Sequence, residues 1–191
     1  VVEAVEVVTP PPTPVRPAGP PGLPGARLQL ESAWEELAQA YAALPAHDNA
    51  TRHRHFLKIA EVWERGAEKI DRALDALERA FKLDIHDAAV RADLTRLADA
   101  HDAWERVCGI FLGAIDATTS RADAVGLHHD VARFREALRQ RDAAEEQYRA
   151  ILRLAPDDRR ALDQLEDIFR TQDRVEDLAK LLDRRTGSGD E

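Results

Sequence analysis

Apolar residues recur along this chain at the spacing of a helical stripe. Trp34, Leu37, Ala38 and Tyr41 stand at i, i+3, i+4 and i+7. Trp104, Val107, Cys108 and Phe111 repeat the set 70 residues on, and Val175, Leu178, Ala179 and Leu182 repeat it 71 residues after that. Such spacing puts the four side chains on one face of a helix. A second stripe, Ala73, Leu77, Ala80, Phe81 and Leu83, returns as Ala144, Tyr148, Ile151, Leu152 and Leu154. A third, Leu94, Leu97 and Ala98, returns as Leu165, Ile168 and Phe169. A fourth, Ile59, Ala60 and Val62, returns as Val131, Ala132 and Phe134, shifted by 72. There the match breaks, because Phe56 meets His128 and Trp63 meets Arg135.

The repeating unit is therefore four helices. The pattern predicts them near 32–44, 49–65, 68–83 and 88–101 in a first unit (32–101). The second unit (102–172) has them near 102–117, 121–139, 142–154 and 158–171, and a ninth helix fills a partial unit over 173–185. Ser32, Asp102 and Asp173 each precede a Glu by three residues, which reads as an N-cap with an acidic first turn. No stretch alternates with period two for long enough to form a sheet.

Residues 1–27 fall outside this pattern. They hold eight of the ten prolines, and proline lacks the backbone donor that helix interiors need. This segment is expected to be a flexible, extended arm or linker. Pro14-Val15-Arg16-Pro17 fits a PxxP ligand, a match that composition alone makes common, and Val1–Val8 is apolar enough to pair as a strand or dock but too short to assign. Thr186–Glu191 is expected to be a flexible tail, leaving 28–185 as the helical repeat domain.

Each unit halves into two-helix hairpins: Leu77 to Phe111 is 34 residues and Phe111 to Tyr148 is 37. These hairpins resemble tetratricopeptide repeats, which have that length. Ala73, Leu77, Ala80, Phe81 and Leu83, and more closely Ala144, Tyr148, Ile151, Leu152, Leu154 and Pro156, resemble the second helix of such a repeat. Ile59, Ala60 and Trp63 resemble the first. The pairs built from 88–117 and 158–185 are weaker matches, with Thr95 and Glu166 where the family has a small residue. The resemblance implies an all-α, right-handed α-solenoid of about nine helices, a degenerate array. It also implies a concave groove lined by the helices near 49–65, 88–101, 121–139 and 158–171.

That groove would carry Arg54, Lys58, Glu61, Arg65, Asp93, Arg96, Asp99, His129, Arg133, Glu136, Asp163, Asp167 and Arg170. Its charge is mixed, with basic residues toward the first half and carboxylates toward the last. A protein or peptide segment is the expected ligand, making the chain a non-catalytic interaction scaffold. The family's clamp for acidic C-terminal tails needs Asn where Glu61, Arg96, Arg133 and Asp167 stand here. The alternative is a structural spacer or oligomerisation segment of a larger bacterial repeat protein. In that reading Val175, Leu178 and Leu182 on the last helix mediate self-association.

Composition narrows the chemistry. The formal net charge of -9 argues against nucleic acid or an anionic membrane as partner. No apolar run is long enough to insert in a bilayer, so a cytoplasmic location is favoured. Cys108 is the sole cysteine, which leaves no internal disulfide or thiolate zinc cage, and it is expected to pack as a small hydrophobe. The absence of Met, even at position 1, is expected of a piece of a longer chain. Arg outnumbers Lys 23 to 4, which points to a high-GC bacterial source.

Four His-Asp dipeptides, at His47, His86, His101 and His129, resemble those of the HD metal phosphohydrolases, a third and remote alternative. Three of them fall at expected helix boundaries, where Asp serves as a cap. Adjacent residues on a helix diverge by about 100°, so His129-Asp130 forms no ready chelate. No metal, cofactor or catalytic residue is assigned from the sequence.

Overall fold

The computed structural model describes the backbone of residues 24–66 and 68–187, and the side chains of residues 31–66 and 68–183. Its helices are α1 (Pro24–Ala43), α2 (Asn49–Glu61), α3 (Ile70–Leu83), α4 (Ala88–His101), α5 (Trp104–Ala117), α6 (Arg121–Ala137), α7 (Arg141–Leu154), α8 (Arg159–Thr171) and α9 (Val175–Gly187). A π-helical turn, Val62–Gly66, continues α2. No strand occurs among the described residues. Each helix packs chiefly on its neighbours in sequence, so the fold is an all-α helical repeat solenoid.

Two kinds of connection alternate along the chain. The even-numbered helices start on a capping side chain. Asp48 accepts from the Thr51 amide at 2.6 Å, Asp87 from Ala89 at 2.7 Å, Ser120 from Asp123 at 3.3 Å and Asp158 from Ala161 at 2.8 Å. The odd-numbered helices α3, α5, α7 and α9 follow a single left-handed residue: Glu68 (φ 53°), Asp102 (53°), Arg139 (59°) and Asp173 (56°). At the last three turns the next amide reaches back five residues. Ala103 donates to the Ala98 carbonyl at 3.0 Å, Gln140 to Arg135 at 2.8 Å and Arg174 to Phe169 at 2.9 Å.

The first such turn differs by one residue, and that accounts for the mismatch of Trp63 with Arg135, though not for that of Phe56 with His128. Here Lys69 donates to the Trp63 carbonyl, six residues back, at 2.8 Å. Asp48 to Glu68 spans 20 residues, whereas Ser120 to Arg139 spans 19. The extra residue is absorbed as the π turn, the usual way a helix accommodates an insertion. Beyond it the register slips from 72 to 71, so Trp63 corresponds to Phe134 rather than to Arg135. Both are buried.

Three start signals read from the sequence are overturned. Ser32 lies inside α1, where its hydroxyl donates to Glu36 at 3.3 Å. Asp102 and Asp173 are left-handed turn residues, not N-caps. Asp tolerates that conformation because its short side chain bonds locally. Two expected boundaries also move. The helix expected from residue 32 begins at Pro24, consistent with proline's fixed φ and missing donor at the first helical position. At the other end α9 runs through Gly187, into the expected tail. The remainder of the proline-rich arm, with Val1–Val8 and Pro14–Pro17, and residues 188–191 lie outside the described residues.

The core forms two clusters that meet at α6. Val131 and Phe134 close the first, which also holds Phe81, Leu94, Val107, Cys108 and Phe111. Ala132 faces the second, with Tyr148, Ile151, Leu165 and Phe169. An aromatic chain ties the first together: Phe81 to Phe111 at 4.8 Å, Phe111 to Phe134 edge-on at 5.2 Å, and Trp104 to Phe134 at 5.3 Å. Cys108 is fully buried, and burial pushes its thiol pKa up. In the second cluster the buried Glu145 carboxylate accepts a hydrogen bond from Arg174 at 2.7 Å and stands 2.7 Å from the Arg149 guanidinium as an ion pair. Arg174 also lies over the Phe169 ring at 4.6 Å, which fastens the start of α9 to α7 and α8.

Candidate functional site

The expected groove residues all fall on α2, its π turn, α4, α6 and α8. These even-numbered helices lie side by side, because side chains reach directly from one to the next. His53 Nε2 is 3.2 Å from Asp87, although the angle makes no hydrogen bond. Arg96 makes a two-pronged contact with Glu64, at 2.7 and 2.9 Å. Arg91 donates to Asp130 at 2.7 Å, and His86 stands 3.5 Å from Asp123. His129 Nε2 meets Asp158 at 3.1 Å.

The mixed charge of this row is thereby largely cancelled between neighbours. Lys58 and Arg65 both pair with Glu61, at 3.0 Å each. Lys58 is the main reason the Glu61 carboxyl sits below the usual carboxylate range. Arg96 binds Asp93 at 3.0 Å as well as Glu64, and its hydrogen bonds depress the Glu64 pKa against the cost of partial burial. Arg133 bonds Asp130 at 3.3 Å and covers the Phe134 ring at 5.4 Å. Arg170 pairs with Glu166. Asp158 is partly desolvated, which works against its charge, yet the Ala161 amide and His129 still hold its pKa down. Arg54 donates to Thr51, one turn away, at 3.1 Å. Asp163 and Asp167 are exposed on α8. Many of the charges expected to line the groove are thus engaged by neighbours on the same or the adjacent even-numbered helix.

Two clefts open at the seams, near the capped ends of the helices. One, of about 370 Å³, lies between α2 and the start of α4, lined by Asn49, His53, Arg54, Asp84 and Asp87. The next, of about 400 Å³, lies between α4 and α6, lined by His86, Ala88, Arg91, Asp123 and Gly126. Each joins an arginine, a histidine and a capping or first-turn aspartate. They recur one hairpin apart.

Sequence reasoning missed His53, Glu64, Arg91 and Asp130 as seam residues. Asp87 was recognisable as a cap and Asp158 was not singled out, and the contact of each with a histidine of the preceding even-numbered helix depends on how hairpins stack. Among the described residues no group of three His, Cys, Asp or Glu side chains converges as a metal site. His47, His86 and His101 are exposed, the first two on separate connections and the third at the end of α4, and His128 is engaged by Gln147 at 2.9 Å. No helix among the described residues is long and apolar enough to cross a membrane. No protein-family model matches the chain, and a search of curated proteins finds no matching relative.

Proposed function

We propose that this chain is a non-catalytic protein-interaction scaffold whose even-numbered helices take a peptide or protein segment along their shared surface. Its hairpins form a degenerate tetratricopeptide-like array in this reading. The observation that carries the reading is the recurrence of like clefts at successive seams, each offering the same triad of side-chain types. A ligand with acidic or amide side chains would meet Arg54 in the first cleft and Arg133 on the exposed surface of α6. Arg54 and Arg133 suit ligand binding, being exposed and bonded to residues of their own helices. The pairing of the other charges favours a second reading, a spacer whose surface serves solubility and stacking.

A random dodecapeptide library selected against the immobilised protein separates the two. The scaffold reading expects enriched peptides that lose binding to the Arg54→Glu, Arg133→Glu double variant while its melting temperature stays at the parental value. Equal binding to parent and variant would refute the groove. Failure to enrich any sequence would favour the spacer.

A further inference from the structure

We propose that the outward face of α9 is a docking site for an amphipathic helix of a partner protein, one bearing an aromatic residue followed directly by an arginine. The solenoid itself supplies the template. α5 and α9 are equivalent helices, with Trp104, Val107, Cys108 and Phe111 matched by Val175, Leu178, Ala179 and Leu182. On α5 this stripe is covered by α6, and Val107, Cys108 and Phe111 are at most 1% exposed. The covering helix contributes Phe134, which packs on both Trp104 and Phe111. It also contributes Arg135, whose guanidinium donates to Glu105 at 2.6 Å.

On α9 the same stripe is open. Val175 is 66% exposed and Leu182 38%. Glu176, in the place of Glu105, is exposed and has no cationic partner among the described residues. The helix is nonetheless fixed. Leu181 is buried, Leu178 packs on the second core cluster, and Arg174 anchors the first turn on Glu145 and Phe169. A rigid helix with an open apolar stripe and a free carboxylate at the template position continues the stacking surface of the solenoid. Its occupant inherits the chemistry of α6: apolar residues at i, i+4 and i+7, then arginine, as in Leu127, Val131, Phe134 and Arg135. Val175 and Leu182 are smaller than Trp104 and Phe111, so the occupant must bring at least as much bulk. A second copy offers no such helix among its described residues, because its Leu127 and Val131 are already buried.

The test uses the whole chain and a capped peptide of residues 119–138, the α6 sequence, as probe. Methyl NMR of the labelled protein is expected to show shifts confined to Val175, Leu178, Leu182 and their neighbours on titration. Leu182→Glu, at a half-open position, should weaken the peptide about tenfold without lowering the melting temperature. Glu176→Arg should weaken it about threefold, the worth of a surface ion pair, and Arg135→Glu in the peptide should restore the loss. Absence of methyl shifts at millimolar peptide would overturn the proposal, as would a Glu176→Arg variant indifferent to the peptide's charge. So would a peptide-free dimer in sedimentation that Leu182→Glu dissolves, since that assigns the face to a second copy.

Discussion

A single methyl group tests how α1 is attached. Gly66 closes the π turn, and a β-carbon added there would lie 2.5, 2.6 and 2.7 Å from the Cδ2, Cε3 and Cε2 atoms of Trp34. Those atoms belong to a rigid, half-buried ring, so relief requires moving α1 or the turn. Overpacking of that kind costs about 1–3 kcal/mol. Against it stands the gain of up to about 1 kcal/mol from replacing glycine by alanine in helical backbone. The difference makes Gly66→Ala destabilising by about 1–2 kcal/mol. Gly109, Gly113 and Gly126 sit in helices where an added β-carbon would meet nothing within 4 Å, so alanine there should stabilise by about 0.5–1 kcal/mol each.

Urea unfolding followed by tryptophan fluorescence reads both signs in one series, since Trp63 lies in the turn and Trp34 packs against it. Trp34→Leu alone loses ring contacts. Combined with Gly66→Ala it should cost less than the two single losses added together, with a coupling of about 1 kcal/mol. A Gly66→Ala protein as stable as the parent would refute the argument that the glycine is there to admit the indole. Additive double-variant losses would refute it equally.

Three further outcomes follow from named contacts. Asp87→Ala removes a side chain that caps two amides and should cost about 1 kcal/mol in thermal melts, whereas Ser32→Ala, inside α1, should stay within about 0.5 kcal/mol; comparable losses would restore Ser32 as a cap. At the left-handed Asp102, a β-branched Asp102→Val should cost about 1–2 kcal/mol while Asp102→Gly is tolerated; equal melting temperatures for the two would remove the backbone as the cause. Glu64, Glu105 and Asp158 have pKa values lowered in the folded protein, so their contribution is complete above the ordinary carboxylate range and is lost as pH falls through the folded-state values. The urea midpoint should therefore be level near neutrality and drop below about pH 4, less steeply in Arg96→Gln; an unchanged acid limb in that variant would remove Arg96 as the cause.

The stripes made the helices legible because burial imposes a period that survives substitution. Val107, Cys108 and Phe111 share a face in the sequence and a core in the structure. The caps were legible only in part. Asp87 and Asp102 both sit before a helix and both are aspartate, yet one accepts amide hydrogen bonds and the other bends the chain at positive φ. Aspartate is suited to both tasks, so residue type cannot separate them. What separates them is the preceding backbone: Asp87 is an extended residue that closes the turn after α3, whereas Asp102 follows α4 without a break. The π turn shows the opposite case. The clash of Trp63 with Arg135 in the aligned repeats looked like decay of the pattern, and it was a one-residue change of phase.

The charged surface was the least legible feature, for a reason that also governs how it can be tested. Arg96 and Glu64 are 32 residues apart, and Arg91 and Asp130 are 39 apart. Such partners meet only when one hairpin is stacked on the next, so no local pattern announces them. The same fact couples recognition to stability. Reversing Arg96 or removing Asp130 would strip a carboxylate or guanidinium of its neighbour across a seam and loosen the stack, whatever it did to a ligand. Lost binding in those variants would therefore not identify a groove. Arg54, which donates only to Thr51 of its own helix, does not carry that coupling, whereas Arg133 shares Asp130 with Arg91 and its reversal is read together with the melting temperature. Arg54 is a position of the row at which a charge reversal reports on the ligand rather than on the scaffold.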